Sequence, residues 1–520
     1  MLFNSYSFIF VFMPLALVGY EIASRFNQRA VVLWLSLASL AFYGWWQPSL
    51  LIILVGSVAL NYFAAALISR KIPNRLRPDL LMYAAVALNL LLLGYYKYFI
   101  PSMNFFSTAF GLSKHWADVI LPLGISFFTF TQIAFLVDLE RGHTEQHDFP
   151  SYLLFVTFFP HLIAGPILHH REMMPQFHRP PRRLNLSDLT VGGTWFVLGL
   201  AKKVLIADTF ADTAYPVFAA HGSLPAGVAW QGTVAYMLQL YFDFSGYSDM
   251  ALGLARMFSI DFPLNFNSPF KSRSIIEIWH RWHMTLGRYI FAYIYNPVTR
   301  QVRDWRLRHG KRITRQDRAN VGTFVFVVGL PMMFTMFIAG IWHGAGIQFM
   351  VFGLIHGLYL AGNNAWRQFK RKPVPGAPPP SLGAARLQLG FKKVVTFLLF
   401  LFSLTFFRAS SCRHAVSILA AMFGLHYSAF ADASTAVPYI GKRAIVEIIA
   451  GMLFVFFLPN TQQILTRFRP SLQKTAWDQT GVPKSLIWSP STGWAVCIGI
   501  LFFAVLVGLQ EPSTFLYFQF

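Results

Sequence analysis

Charged residues and cysteine are both scarce in this chain, and each shortage excludes a class of protein. Only 12% of the 520 residues are charged and 55% are hydrophobic, whereas roughly a quarter of the residues in a soluble domain carry charge. A soluble fold cannot hide so much apolar surface, which predicts an all-α polytopic membrane protein. The two cysteines, Cys412 and Cys497, form no CxxC pair, so we expect no disulfide framework and no thiolate metal site.

Acidic residues are outnumbered two to one by basic residues. Lys and Arg number 43 and Asp and Glu number 21, which gives a formal net charge of +22. In a soluble protein this excess would suggest nucleic acid, but in a membrane protein it follows from the enrichment of basic residues in cytoplasmic loops. The largest cluster, TRQVRDWRLRHGKRITRQDR at 299–318, holds eight Lys or Arg. We therefore assign the basic clusters to the cytoplasm and expect membrane lipid, not nucleic acid, around the protein.

Long apolar runs fill most of the chain. Because a helix needs roughly 20 mostly apolar residues to cross a membrane, these runs predict roughly 11–13 membrane segments. They lie at 5–24, 30–46, 49–68, 79–100, 117–138, 150–166, 189–206, 229–258, 320–342, 346–364, 392–408, 441–458 and 491–509. Basic residues follow the first run and none precedes it, which is the reverse of a cleaved signal peptide and predicts an outer N-terminus. The last run crosses outward, so the C-terminus is predicted on the same side.

Two changes in composition divide the chain. The segment RKPVPGAPPPSLGAAR (371–386) is rich in proline and basic residues, which indicates a cytoplasmic linker. We therefore predict a membrane core at 1–366, a linker at 367–390, C-terminal membrane helices at 391–509 and an outward-facing tail at 510–520. The tail ends in FLYFQF, in which four of six residues are aromatic. Such an ending is also typical of an aromatic anchor at the membrane interface.

Histidines occur beside the apolar runs, where ionisable side chains are costly and therefore informative. In IIEIWHRWHMTLGRYI (275–290), helical spacing places Trp279 and His283 on one face. The same spacing pairs Glu277 with Arg281. The segment therefore predicts a helix that lines a cavity, although an interfacial helix with a structural ion pair explains the same pattern.

The second histidine segment is FIAGIWHGAGIQFMVFGLIHGLYLA at 337–361. His343 ends an apolar run and is followed closely by glycines, which allow a ligand or another backbone to approach. A hydrogen-bonded structural histidine explains His343 equally well at this point. His356, inside the next run, fits packing better than chemistry.

Carboxylates also occur inside an apolar run. Asp243 and Asp249 fall within QLYFDFSGYSDMALGLARM (239–257), and buried carboxylates need partners. Arg281 and Arg288 are candidate partners. The alternative is that the two carboxylates line a water-filled path.

A fourth segment, FFPHLIAGPILHHREMMPQF (158–177), contains a glycine–proline break and carries Arg171 near its cytoplasmic end. Lipid tolerates such a break only inside protein or at a cavity. HExxH, GxSxG and P-loop motifs are absent from the sequence. The residues alone therefore indicate a polytopic protein with a partly polar interior around two histidines, which is either an enzyme or a transporter.

Several of these segments together resemble the membrane-bound O-acyltransferase (MBOAT) family, and its bacterial alginate O-acetylation (AlgI-like) branch in particular. The resemblance is carried by LPLGISFFTFTQIAFLVDLERG (121–142), FFPHLIAGPILHHREMMPQF, QLYFDFSGYSDMALGL, NFNSPF (265–270), IWHRWHMTL and GIWHGA (340–345). It implies a helical bundle with a central funnel or tunnel. It also implies a bacterial inner-membrane O-acetyltransferase, with both termini periplasmic, that moves acetyl from a cytoplasmic thioester donor outward to an exopolysaccharide such as alginate or cellulose.

The resemblance also implies roles for individual residues. The histidine essential for acyl transfer corresponds to His343, and a second histidine near it to His283. Tyr517 matches the tyrosine of an aromatic C-terminal motif and is a candidate acyl relay. Acetyl-CoA is the implied donor, with Arg171 and Arg281 as candidates to hold its phosphates, and no metal is expected.

The resemblance further implies partners and leaves alternatives open. A periplasmic SGNH-type acetyltransferase or acetyl-carrier protein and a polysaccharide synthesis and export complex are expected to receive the acetyl group. The same fold could instead acylate peptidoglycan or teichoic acid. The rival of a different class is a proton-coupled transporter, although the chain shows no repeated halves of the kind that transporters often have.

Overall fold

The structure is a computed structural model that describes residues 1–45, 47–69, 77–112, 116, 120–145, 148–220, 224–311, 320–370, 381–425, 441–468, 471–472, 482–509 and 515–516. Within these ranges the regular structure is helical and no strand occurs. The predicted all-α fold class is therefore confirmed. The proline-rich part of the linker and Tyr517 lie outside the described residues.

The first of two compact units combines the stretches Met1–Leu205, Asp243–Leu264 and Pro459–Phe520. Asparagine and serine side chains cap the first turns of several of its helices, as at Asn27 and Asn185, which explains where these helices begin. Its helices are α1 (Met13–Ser24), α2 (Gln28–Gly44), α3 (Leu51–Ser69), α4 (Pro78–Gly94), α5 (Ile100–Ala109), α6 (Ile125–Glu140), α7 (Phe149–Thr157), α8 (Phe159–Leu162), α9 (His170–Phe177), α10 (Leu186–Ala201), α22 (Thr461–Ile464) and α23 (Thr492–Gly508).

The second unit comprises Ile206–Phe242 and Asn265–Leu458. Its helices are α11 (Asp208–Ala219), α13 (Ile275–Trp279), α14 (Met284–Ile290), α15 (Asn296–Arg308), α16 (Val321–Phe324), α17 (Leu330–His343), α18 (Ile347–Phe369), α19 (Leu382–Arg408), α20 (Cys412–Met422) and α21 (Lys442–Phe457). Helix α12 (Ala226–Met257) is continuous and contributes residues to both units, with the division between Phe242 and Asp243.

Glycines let α10 and the later part of α12 approach until their backbones touch. A Cβ atom added at Gly199 would lie 2.6 Å from the carbonyl oxygen of Gly246, and one added at Gly192 would lie 2.6 Å from that of Gly253. Such distances are shorter than van der Waals contact, so only glycine fits at this crossing.

The crossing brings two lysines, which follow α10 in a π-helical segment, to the carboxylates of α12. Lys202 Nζ lies 2.6 Å from Asp249 Oδ2, and Lys203 Nζ lies 2.8 Å from Asp243 Oδ1. Lysines were not among the partners predicted from the sequence, which were Arg281 and Arg288. Ion pairing explains how these carboxylates are kept inside an apolar segment.

The crossing gives a test with a neighbouring control. Gly192→Ala is expected to lower the free energy of unfolding by about 1–3 kcal/mol because the new methyl group must push the helices apart. Gly193→Ala meets only Met257 Cε, 4.0 Å away, and is expected to be neutral or stabilising by up to about 1 kcal/mol because alanine favours helix. Thermal unfolding of the two purified variants in detergent measures the difference, and equal shifts would contradict a backbone contact at Gly192.

Helices α17 and α18 form a hairpin in the second unit that is also closed by glycine. A Cβ atom at Gly340 would overlap the carbonyl oxygen of Phe349, and one at Gly353 would overlap that of Met336. Backbone contact of this kind fixes the short turn between the two helices. His343, the last residue of α17, is therefore held at a rigid helix end.

Five helices of the described residues are long and apolar enough to cross a membrane by length and composition. They are Pro48–Ser69, Pro78–Thr108, Leu186–Ala219, Val321–His343 and Leu382–Arg408. The chain is thus a multi-pass membrane protein. The remaining apolar runs form helices that are shorter, broken or more polar, so the total of roughly 11–13 membrane segments and the central funnel stay predictions.

Candidate active site

His283 lies at a break between two short helices. It has φ 43° and ψ 51°, in the left-handed region, between the end of α13 and the start of α14. The prediction that one helix carries Trp279 and His283 on a shared face is therefore wrong. The reason is a contact distant in sequence, because the N–H of Met284 donates to the carbonyl oxygen of Asn265 at 2.9 Å instead of to a carbonyl of the preceding helical turn.

Asn265 also fixes the orientation of the buried His283 ring. Its Oδ1 accepts from the backbone N–H of Thr285 at 3.3 Å and from the Thr285 hydroxyl at 2.9 Å. Since a backbone N–H can only donate, the atom it faces is the amide oxygen. The His283 Nδ1, 3.0 Å from the same oxygen, must then be the protonated ring nitrogen.

The tautomer decides which atom of His283 can do chemistry. With the proton on Nδ1, the lone pair of the neutral ring is on Nε2, so Nε2 accepts a hydrogen bond or a proton. Residue 283 lies outside the five candidate spans, and burial lowers the pKa of its imidazole to about 3. The ring is therefore neutral at physiological pH, and its unprotonated Nε2 is a hydrogen-bond acceptor.

His343 is half-buried among aromatic rings. The Phe407 ring meets its imidazole edge-on with centroids 4.9 Å apart, and the Phe352 ring does so at 6.0 Å. A Cβ atom on the following Gly344 would overlap the ring of Phe349, so glycine is needed to let that ring close in. These contacts hold the imidazole in an apolar setting, where its interactions with developing charge are stronger than in water.

One indole lies next to both histidines. The Trp342 ring centroid is 4.7 Å from that of His343 and 6.3 Å from that of His283. The break after α13 and the end of α17 are therefore neighbours in the second unit. The sequence predicted both histidines but missed Asn265 and Trp342, each of which stands inside a segment that carried the family resemblance.

His356 has a structural role, in agreement with its interpretation from the sequence. Trp279 Nε1–H donates to His356 Nδ1 at 3.2 Å. The Ser403 hydroxyl donates to the carbonyl of Phe400 at 2.7 Å, so it accepts from His356 Nε2 at 2.9 Å. Both ring nitrogens are engaged, and the imidazole ties α18 to α13 and α19.

The two arginines proposed for donor binding differ in their surroundings. Arg281 Nη2 lies 2.9 Å from Glu277 Oε1, which confirms the predicted ion pair, and Nη1 donates to the carbonyl of Asn267 at 3.3 Å. Arg281 thus braces the segment that carries His283. Arg171 is exposed on α9, in the first unit.

A cavity of about 610 Å³ lies beside the His283 segment within the second unit. Trp279, Met284 and Gly287 of that segment line the cavity, together with Met332 from α17 and Leu360 from α18. The lining is mostly apolar, with Arg288, Asn296 and Asn364 among its few polar side chains. Cavities of this size and character bind small organic ligands.

Comparison with known proteins agrees with the resemblance seen in the sequence. Residues 99–312 match the membrane-bound O-acyltransferase family. The chain is 37% identical over 458 residues to a peptidoglycan O-acetyltransferase of Helicobacter pylori, covering 82% of this chain and 80% of that protein. It is 32% identical over 560 residues to the probable alginate O-acetylase AlgI of Pseudomonas aeruginosa, covering 100% of both.

A more distant relative is a teichoic acid D-alanyltransferase of Streptococcus thermophilus, 27% identical over 256 residues, which cover 48% of this chain and 58% of that protein. The names of these three relatives share acyl transfer to a polymer. The chain belongs to the membrane-bound O-acyltransferase family and is a multi-pass membrane O-acyltransferase.

Proposed function

We propose that this protein moves an acetyl group from cytoplasmic acetyl-CoA across the bacterial inner membrane for O-acetylation of an exopolysaccharide such as alginate or cellulose. The observation that carries the proposal is the placement of His283 and His343 around Trp342, in a chain that belongs to an O-acyltransferase family. Full-length similarity to alginate O-acetylases supports the acyl group and the class of acceptor.

The chemistry needs one base, an attacking hydroxyl and a positioned thioester. The hydroxyl oxygen attacks the thioester carbonyl carbon, the C–S bond breaks, and the thiolate leaves. His343 accepts the hydroxyl proton during attack and returns it to the thiolate, so protons balance. His283 orients the thioester donor, because its Nε2 accepts a hydrogen bond from an amide N–H of the pantetheine arm. A neutral His283 with its proton on Nδ1 has no N–H at Nε2, so that atom cannot donate a hydrogen bond to the oxyanion that forms on the thioester carbonyl oxygen.

The donor site is proposed at the cavity beside His283, whose apolar walls suit the pantetheine arm and acyl group of a thioester. The exposed Arg171 remains a proposed contact for the phosphates of the donor. Arg281 contributes indirectly, since its bonds to Glu277 and Asn267 hold the segment of the catalytic His283.

The C-terminal tyrosine is proposed to relay the acetyl group. Transfer from the thioester to the Tyr517 phenol would give an aryl ester, which is activated enough to acylate a periplasmic SGNH-type acetyltransferase or acetyl-carrier protein. Tyr517→Phe removes only the hydroxyl and is expected to abolish polymer O-acetylation, measured as acetate released by mild base from the purified polymer. Normal O-acetylation in this variant, at normal protein level, would refute the relay and leave the acyltransferase.

A second acceptor is favoured by one observation, the higher identity to the peptidoglycan O-acetyltransferase. The two acceptors are distinguished in cells that lack this protein and are complemented with wild type or His343→Ala. Loss of O-acetyl groups from the exopolysaccharide alone supports the first proposal, and loss from muropeptides alone supports the second. A proton-coupled transporter is less favoured, because Asp243 and Asp249, its candidate proton carriers, are paired with lysines.

A further inference from the structure

Two residues near the C-terminus are buried in the first unit. Phe515 is 1% exposed and Leu516 is 5% exposed. A segment held only by adsorption at a membrane surface would not place a backbone group inside the protein. The contacts of these two residues therefore define what holds the end of the chain.

The backbone of residue 516 is hydrogen-bonded to a buried ion pair. Lys203 Nζ lies 2.8 Å from Asp243 Oδ1, with both side chains 2% exposed. The other carboxylate oxygen, Oδ2, accepts from the N–H of Leu516 at 3.0 Å. Buried charges are tolerated when their remaining hydrogen-bonding positions are filled, so the C-terminal segment and the ion pair stabilise each other.

Aromatic contacts receive the side chain of Phe515. The Lys203 ammonium lies 5.1 Å from the centroid of its ring, a cation–π arrangement. The ring also meets Tyr247 edge-on, with centroids 4.9 Å apart and planes at 90°. Tyr247 in turn stacks on Phe3, with ring centroids 5.0 Å apart, so Phe515 packs against a cluster of aromatic rings.

We propose that Lys203, Asp243 and Tyr247 form a binding site for the C-terminal segment and act as positioning residues for the acyl relay. The site binds two groups of the segment, the backbone N–H of residue 516 and the aromatic ring of residue 515. The residue that directly follows these two is Tyr517, so the site fixes where its phenol can reach. The claim that the site positions the acyl relay rests on the proposed function, whereas the claim that it binds the C-terminal segment does not.

Binding of the C-terminal segment is tested by digesting the purified full-length protein with carboxypeptidase and measuring the intact mass of the product by mass spectrometry. Trimming of the wild type is expected to stop before Leu516 is lost. Phe515→Ala and the charge-free pair Lys203→Met/Asp243→Leu are expected to be trimmed past residue 515 at least about tenfold faster, because the segment is no longer held closed. Lys202→Met is the matched control, since it takes the neighbouring ammonium from Asp249 instead.

Phe515→Ala keeps the test valid if the paired variant fails to fold, because it changes only the bound segment. Wild-type resistance in Phe515→Ala would overturn the binding site. Trimming of Lys202→Met as fast as that of the Lys203→Met/Asp243→Leu pair would also overturn the binding site.

Positioning of the acyl relay is tested by O-acyl transfer with the same variants. Release of the segment is expected to lower kcat at least about tenfold with the KM for acetyl-CoA unchanged, because a poorly placed relay slows transfer without affecting donor binding. A purely structural role would lower the thermal midpoint and the amount of active protein without this split. Full kcat in a variant whose segment is released would refute the positioning role. A His343→Ala variant that transfers acyl groups at the wild-type rate would refute the proposed function, but the trimming result would still support the binding site.

Discussion

His343→Ala is expected to lower O-acyl transfer by roughly 10²–10⁴-fold, which is the usual contribution of a general base. The protein should still fold, because residue 343 is half-buried at the end of α17 and the glycine contacts between α17 and α18 do not involve its side chain. The aromatic rings of Phe352 and Phe407 pack against the imidazole and stay in place when it is removed.

The control for this prediction is His309→Ala, which removes an exposed histidine that directly follows α15 in the same unit. It is expected to keep wild-type activity. Initial rates with saturating donor, together with thermal midpoints, separate the loss of a base from the loss of the fold. A His343→Ala variant with more than about a tenth of wild-type kcat would contradict the assignment of the base, since base catalysis is worth far more.

Asn265→Leu is expected to cause the second large loss of acyl-transfer activity, although Asn265 touches no reacting atom in the proposed mechanism. Leucine keeps the volume but accepts no hydrogen bond, so His283 Nδ1–H and both donors of Thr285 lose their shared acceptor. Each buried group left unsatisfied costs about 1–3 kcal/mol. A freed imidazole ring also misplaces Nε2, for which we expect a loss of roughly 100-fold in kcat.

The conservative variant Asn265→Asp separates orientation from simple destabilisation. A carboxylate still accepts from Nδ1–H and from Thr285, so most of the rate should return. Its negative charge favours the imidazolium and raises the pKa of His283 from its lowered value of about 3. Because only the neutral ring accepts at Nε2, the acid side of the pH–rate profile is expected to move to higher pH in this variant. An unchanged profile, or full activity in Asn265→Leu, would contradict the role given to His283.

Local patterns in the sequence predicted what depends on neighbours along the chain. Helices lie at the apolar runs because each run carries its own signal for helix and for burial. The Glu277–Arg281 pair formed as expected, and it does so across the last turn of α13. The structural role of His356 was also anticipated, because this residue lies inside an apolar run.

The parts that could not be predicted depend on contacts between distant residues. The left-handed backbone at His283 is unfavourable for histidine, and it is held by pairing with Asn265, 18 residues earlier. Helical spacing cannot reveal such a break. The lysine partners of Asp243 and Asp249 likewise follow from the glycine contact of α10 with α12, in which glycines recur at intervals of seven on both helices. This seven-residue spacing of glycines is the feature of the sequence from which the helix contact could have been predicted.

The most direct test of the account follows the acetyl group of labelled acetyl-CoA in purified protein, with peptide mass spectrometry of the wild type and of His343→Ala. We predict covalent label on Tyr517 in the wild type and none in the variant, which would establish the donor, the base and the relay together. Label at equal level in His343→Ala would contradict the account, as would failure of the wild type to transfer acetyl to itself or to its periplasmic partner.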